Sequence, residues 1–549
     1  MLGSREAELF LEGLKTPERI VTDTLLSSIV RPNEDAEFGR EHDFSKIHSV
    51  ADYQAAVPIR DYEGFRDRID RIVNQGEQGI LTTEPVKRFF ATSGSTAKPK
   101  YIPVTSSFAQ RKSRAFGIYW SLALAQHPGV ERASIVTNFS DSGEAKKTPG
   151  GLPLSSESAY WAMMTAATQR RDKPIIPRAV AKIEGTDARY YAIARILAEE
   201  RFSGLMTLNP STLWLLFQKM NEFKDELLRD VRRGGLSDRF NVAAGARAIV
   251  EETYRGNPAR ADAIEATLDS AEPFLRASRV WPGLKLVVSW RSPMLTPYLR
   301  MLEPHLVGVH SRDYLSMASE GVMSIPIEPE KSGGVVATSI HFLEFVPEEQ
   351  LGQPNAQALL PHQLEVGKSY VTILSTSGGL YRYNIGDVVR VSRFVEATPV
   401  VEFMNRAGNT CSLTGEKLTE DQVSAAMEEA SQQTQVALES FTVAPAPEGF
   451  PRYVLAVELL RPATREALVA FLGAFERALG ARNIEYGAKR DSQRLGAPEL
   501  WRVSTGAYAA RRQRKVAEGT NDAQYKPTHL TRDSKLLSEL SVEERIGAA

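Results

Sequence analysis

The chain has 549 residues, 25% of them charged and 42% hydrophobic, with 67 basic against 68 acidic side chains and a single cysteine, Cys411. That length implies roughly two to four domains with sizeable cores. Balanced charge leaves no electrostatic footprint for nucleic acid or an anionic membrane, and a lone cysteine excludes an internal disulfide and fits a reducing cytoplasm.

Residues 5–75 read as mostly helical, and their charged, amphipathic start lacks the apolar core of a signal peptide. No later run approaches the roughly 18 apolar residues that a bilayer span needs. Ala91-Thr-Ser-Gly-Ser-Thr-Ala-Lys-Pro-Lys100 follows the apolar pair Phe89-Phe90 as a loop follows a buried strand. Gly204–Leu208, Asn209-Pro-Ser and Thr212–Phe217 predict strand, capped turn and helix. Leu284–Val288 repeats the strand, and an apolar-spaced segment follows it. This alternation predicts a layered α/β core with largely parallel strands. Between 335 and 405 the texture is β-rich with Gly and Pro turns, which predicts an antiparallel sheet or distorted barrel. A helix is predicted from near Thr419 with Val423, Ala426, Met427 and Ala430 on one face. Strands at about 440–445 and 452–460, a helix over 462–479 and a last segment running to Lys526 complete a small α+β domain. The predicted boundary lies at 406–410, giving a large domain of 1–406 and a small one of 407–549.

Four segments carry chemistry. In the first, Thr92, Ser93, Gly94, Ser95 and Thr96 are small or hydroxylated, and Lys98 and Lys100 follow. Small residues let backbone N–H groups approach a polyphosphate, and lysines balance its charge. The spacing is not that of a P-loop. In the second, Asp313-Tyr-Leu-Ser-Met-Ala-Ser-Glu-Gly321, Glu320 next to Ser319 could hold Mg2+ while the hydroxyl meets a phosphate; a helix cap is the alternative. In the third, Leu380-Tyr-Arg-Tyr-Asn-Ile-Gly-Asp-Val-Val-Arg-Val391, Asp387 stands in an apolar run. There it must pair, with Arg382 or Arg390 at hand, or bind hydroxyls such as those of a ribose. The fourth is a pair, Gly415-Glu-Lys-Leu-Thr-Glu420 and Gln524-Tyr-Lys-Pro527, each carrying a lysine. No HExxH, Cys/His cluster or Gly-x-Ser-x-Gly elbow is present, which weighs against zinc and serine hydrolases.

These segments in this order, together with Phe38-Gly-Arg-Glu-His-Asp-Phe-Ser45 and Val57-Pro-Ile-Arg-Asp-Tyr62, closely resemble the plant auxin-responsive (Gretchen Hagen) acyl-acid amido synthetases and their bacterial relatives. The resemblance runs over nearly the whole chain. It departs from the plant pattern at Ser-Gly-Ser-Thr-Ala in the first loop and at Met-Ala-Ser-Glu in the second, with hydroxyl chemistry kept at most positions.

The resemblance implies the adenylate-forming (acyl-CoA synthetase and luciferase-like) fold, with ATP and Mg2+ as cofactors. A carboxylic acid and an amino acid would be the small-molecule partners, no nucleic acid or membrane would be involved, and the protein would be a monomer or weak homo-oligomer. It implies that the Thr92–Thr96 loop cradles phosphates and that Lys98 or Lys100 helps with pyrophosphate. Glu320 would ligate Mg2+, with Ser319 near the α-phosphate, and Asp387 would take the ribose. Phe403 would lie beside the nucleotide and Arg406 at the hinge. Lys417 would reach the nucleotide, and Lys526 would stabilise charge on the reacting groups when the small domain closes. The acyl pocket is expected from the helical region 110–175 and from Trp290 and its neighbours; Trp161, Met163 and Met164 read equally as an apolar wall or as core packing, and Arg170 and Arg171 as a solvated face rather than partners for a second carboxylate. An acyl-CoA synthetase and a non-catalytic nucleotide-binding homologue are the competing functions.

Overall fold

The computed structural model describes residues 2–547 save for 93–99, 138, 140–145, 159, 162–173, 269–274, 352, 354–355, 407–409, 412, 414–415, 417, 492–494, 519–524 and 526. Two compact units divide the chain, Met1–Phe403 and Met404–Ala549.

The first unit opens on helices. In Glu63–Gln75 the buried residues Phe65, Ile69, Ile72 and Val73 recur at the spacing of one helix face, and Gly76 ends the helix at φ 71°. Further on, strands Ser134–Val136, Phe202–Met206, Leu286–Val288 and His310–Arg312 form a four-stranded sheet whose pairs are all parallel. This is the predicted alternation: after Phe202–Met206, the Asn209 side chain accepts the Ser211 N–H and starts helix Pro210–Glu222 with proline in its first turn.

The β-rich region is a seven-stranded sheet. Its order is Phe342–Pro347, Ser369–Ser375, Tyr383–Val395, Thr398–Arg406, Gly334–Val336, Gly321–Ile325 and Ser316–Ala318. The run Val335–Phe345, which reads as continuous β-structure, is two strands: Ala337–His341 makes a turn in which the Ile340 N–H bonds back to the Ala337 carbonyl at 2.9 Å. A smaller sheet joins Lys100–Val104, Arg88–Thr92, Pro153–Ser155 and Lys146–Lys147.

The second unit has its own core, built from Val423, Met427, Leu455, Phe471, Phe475 and their neighbours. Helix Glu420–Thr434 begins with a capping box, the Thr419 hydroxyl accepting from Gln422 and the Gln422 side chain reaching back to Thr419. Val423, Ala426, Met427 and Ala430 form its buried face, as predicted. Helix Arg465–Arg482 packs beside it. The sheet runs Leu438–Pro445, Tyr453–Leu459, Glu499–Val503 and Val542–Gly547. Its last two strands lie in sequence that gives no strand pattern: Val542-Glu-Glu-Arg-Ile-Gly547 is a charged edge. Among the described residues, no helix is long and apolar enough to cross a membrane.

Candidate active site

Strands Arg88–Thr92 and Lys100–Val104 pair antiparallel with Thr92 opposite Lys100, so both ends of the first loop are fixed at one place. Ser93, Gly94, Ser95, Thr96 and Lys98, and the side chain of Thr92, lie outside the described residues. Tyr62 anchors the far end: its hydroxyl accepts the Tyr101 N–H at 2.7 Å and donates to the Tyr101 carbonyl at 3.2 Å.

The second segment is a β-hairpin rather than a helix cap. Ala318 pairs with Gly321, leaving Ser319 and Glu320 as a two-residue turn. Glu320 is 5% exposed and Ser319 half-buried. Position 321 is tight: a Cβ there would stand 3.0 Å from the His341 ring and 3.1 Å from Leu374, so those side chains would have to give way. His341 is fully buried, and neither ring nitrogen has a hydrogen-bond partner among the described residues. Burial, with Lys112 and Arg111 nearby, pushes its pKa far down and keeps it neutral. Asp313, at the head of the segment, is a structural carboxylate. It accepts N–H groups from Arg291 (2.9 Å), Tyr314 (2.8 Å) and Gly333 (2.8 Å). Burial outweighs those bonds and raises its pKa to about 6.

The third segment holds Asp387 in a bulge. In the pairing of Ser369–Ser375 with Tyr383–Val395, Val371 faces Val388 and Ile373 faces Asn384. Ile385, Gly386 and Asp387 therefore stand opposite Thr372 alone. Gly386 sits at φ 79°, and the Asn384 side chain accepts its N–H at 2.9 Å. Such bulges re-aim a side chain relative to a regular strand. Asp387 is 6% exposed. The two candidate partners engage other carboxylates, Arg382 with Glu344 at 2.9 Å and Arg390 with Glu402 at 3.4 Å. Arg382 is itself at φ 47°. It donates to the carbonyls of Gln54 (2.9 Å) and Val57 (2.8 Å), and Glu344 is held also by Gln54 at 2.8 Å. This buried network clamps the Val57–Tyr62 segment to the strand, and the Asn384 N–H bonds to the Arg60 carbonyl at 2.7 Å.

The segments meet at Tyr383. Its hydroxyl lies 3.5 Å from the Glu320 carboxylate and 3.4 Å from the Lys100 ammonium, which also stands 5.5 Å above the Tyr62 ring. Lysine, tyrosine and glutamate thus form one chain of long polar contacts, with Asp387 four residues farther along the strand. Phe403 is half-buried on the neighbouring strand, one position past Glu402. The backbone of Arg406 ends that strand, and its side chain lies outside the described residues. On the side expected for the acyl group, the Trp161 ring packs 4.5 Å from Phe116, and its N–H donates to Glu157 at 2.9 Å. Trp290 donates to the Leu315 carbonyl at 2.9 Å. Met163, Met164, Arg170 and Arg171 are outside the described residues.

No three His, Cys, Asp or Glu side chains come together as a metal cage among the described residues. A magnesium ion needs none: it keeps several waters and takes one or two carboxylates together with substrate phosphates. Glu320 suits that role, being a carboxylate on a hairpin turn.

In the second unit, Lys417 and Lys526 lie outside the described residues, and several of their neighbours in sequence are described. Glu416, 1% exposed, accepts from the Tyr453 hydroxyl and from the Leu413 N–H at 2.7 Å. Glu420, 3% exposed, accepts the His529 N–H at 3.0 Å. Residues 528–531 are tied to the edge strand by the Thr442 hydroxyl bond to the Thr528 carbonyl (2.6 Å) and by the Val443 N–H bond to the His529 carbonyl (2.7 Å). Cys411 is 1% exposed, and burial pushes its thiol up to about 11.

The hairpin glutamate and the lysine at the mouth of the small-residue loop thus meet through Tyr383, with the bulged carboxylate on the same strand. Models of the GH3 family match the chain in three blocks: its N-terminal domain over residues 9–310, its central domain over 334–406 and its C-terminal domain over 421–535. The chain belongs to the GH3 family. It is 25% identical to a jasmonoyl–L-amino acid synthetase, GH3.5, of Oryza sativa subsp. japonica, over 95% of this chain and 94% of that protein. It is 26% identical to the indole-3-acetic acid-amido synthetase GH3.10 of Arabidopsis thaliana, over 89% and 87%. The solved structure of the acyl acid amido synthetase AtGH3.15 in complex with 2,4-DB superposes with a TM-score of 0.86 at 22% identity, over 99% of this chain and 97% of that one, which shows a shared fold.

Proposed function

We propose that this chain is an ATP-dependent acyl-acid amido synthetase. It activates a carboxylic acid as the acyl-adenylate with release of pyrophosphate, then passes the acyl group to an amino acid amine with release of AMP. The observation that carries this reading is the meeting of Lys100, Tyr383 and Glu320, which come from three separate segments of the sequence.

The first half-reaction brings a carboxylate against a polyphosphate. The obstacle is repulsion between anions, and neutralisation with in-line positioning removes it. The assigned roles follow. The Thr92–Thr96 loop and Lys100 hold the phosphates, Ser319 lies near the α-phosphate, and Asp387 accepts from the ribose hydroxyls, with Phe403 beside the nucleoside. Glu320 would hold Mg2+, which when bound would offset the negative charge of the phosphates. Within a large domain of 1–406 and a small one of 407–549, Arg406 marks the hinge. Lys417 and Lys526 supply positive charge to the nucleotide and to the reacting carboxylate. The free, buried cysteine fits a cytoplasmic protein, acting as a monomer or weak homo-oligomer.

The test is acid-dependent pyrophosphate release across a panel of carboxylic acids, followed by mass spectrometry of the products with amino acids or coenzyme A as acceptor. An amide is expected. A thioester with no amide makes the protein an acyl-CoA synthetase, and no acid-dependent pyrophosphate release makes it a non-catalytic binding protein. Lys526→Ala is expected to lower adenylation by on the order of 10²–10³ with ATP binding kept, because the contact acts in the transition state. Wild-type rates in that variant would remove Lys526 from the mechanism.

A further inference from the structure

Lys112 has no part in the reaction outlined above, yet it is among the most costly residues in the first unit. It is fully buried in helix Ser106–Gln126 and forms an ion pair with Glu157. Taking such a pair out of water costs several kcal/mol per ion before any attraction is counted, and apolar residues of similar size often do as well for stability. What the lysine adds is a specific bond: its ammonium donates to the carbonyl of Ala318 at 2.7 Å. Ala318 is the residue from which the Ser319–Glu320 turn departs.

The same helix grips this segment twice. Two turns beyond Lys112, the Tyr119 hydroxyl donates to the Asp313 carbonyl at 2.9 Å. The head of the segment is further fixed by three backbone N–H groups on the Asp313 carboxylate. Its tail, which carries Glu320, has Lys112 behind it and the His341 ring packed under Gly321. Glu157, in turn, is shared: the oxygen that meets Lys112 also accepts the Trp161 N–H at 2.9 Å. One buried ammonium therefore ties the turn holding Glu320 to the aromatic wall that Trp161 and Phe116 form.

We propose that Lys112 is a positioning residue that holds the Ser319–Glu320 turn, and with it the Glu320 carboxylate, at the place where that carboxylate takes Mg2+ on bound ATP. This rests on the reading of Glu320 as the magnesium ligand. Loss of Lys112 frees the Ala318 carbonyl and lets the turn relax, so the carboxylate is no longer presented to the ion. Contacts to the ribose and base, which come from Asp387 and Phe403 on other strands, are untouched.

The test is calorimetric binding of ATP with and without Mg2+, which needs no turnover. Lys112→Met alone strands a buried glutamate, which can unfold the protein. The double variant Lys112→Met/Glu157→Gln removes both charges together, keeps an acceptor for Trp161 and loses the bond to Ala318 along with the ion pair. In both variants the factor by which Mg2+ tightens ATP binding is expected to fall by about tenfold, while metal-free affinity stays within about twofold of wild type. Glu320→Gln, measured alongside, is expected to abolish the Mg2+ effect. If Glu320→Gln abolishes it and the double variant keeps it whole, the positioning role of Lys112 is wrong and the magnesium reading stands. If Glu320→Gln leaves the Mg2+ effect intact, the magnesium reading fails and the role of Lys112 falls with it.

Discussion

Asp387 and Asp313 are both buried aspartates, and their surroundings set them to different tasks. Asp387 stands in a bulge, one of three residues opposite Thr372, and on the proposed reading truncating it removes a ground-state contact to substrate. Asp387→Ala is expected to raise the KM for ATP by about tenfold or more with a smaller effect on kcat; steady-state pyrophosphate release at varied ATP measures it, and an unchanged KM takes Asp387 out of the ribose site. Asp313 is walled in by backbone. Its pKa is raised in the folded chain to about 6 from 3.8, so the folded state holds the proton after the unfolded state has lost it. The protonated group's contribution is fully present below about pH 4 and is lost as pH rises through about 6. The stability of the wild type relative to Asp313→Asn is expected to fall by on the order of 3 kcal/mol over that window, as read from urea unfolding at pH 4 and pH 7. At this scale the sequence is legible where chemistry breaks a pattern. Glu320 and Asp387 stand out as acids in apolar or small-residue runs, and the Asn-Ile-Gly-Asp string carries the bulge. Tyr383 and Lys112 do not stand out. A buried tyrosine reads as core and a lysine in a helix reads as solvated, and only contacts between residues far apart in the chain, such as Lys112 with Ala318, reveal otherwise.

Elements are legible where period and punctuation agree. Asn209-Pro210 marks a helix start because the side chain of one satisfies an orphan N–H and the ring of the other fits the first turn. Thr419 to Gln422 does the same with a reciprocal pair of bonds. Charge obscures the strand Val542–Gly547, since three of its six residues are ionisable, and the fold reveals it only through pairing with Glu499–Val503. Glu420 shows how an element terminus reaches beyond itself. Its carboxylate opens the helix and also accepts the His529 N–H, so Glu420→Ala leaves a buried donor unsatisfied. A loss of on the order of 1–3 kcal/mol is expected, measured as a lower denaturant midpoint; an unchanged midpoint means that another acceptor replaces it.

Over the whole molecule, the described buried apolar residues form separate clusters. The clusters around Leu197, Phe38 and Tyr119 draw only on residues before Met404, and those around Leu455 and Val454 only on residues after it. Chains with separate interiors depart from two-state unfolding. Scanning calorimetry is therefore expected to show more than one transition, with ATP and Mg2+ raising the one that belongs to Met1–Phe403 by mass action; a single sharp transition insensitive to nucleotide would contradict both the separation and the site. The sealed state of Cys411 has a practical side. A thiol that is both hidden and reluctant to ionise is invisible to maleimides and similar reagents at neutral pH, and no second thiol exists to compete. Any cysteine engineered onto the surface would carry a fluorophore or spin label alone, so the native background is already that of a cysteine-free protein for spectroscopy.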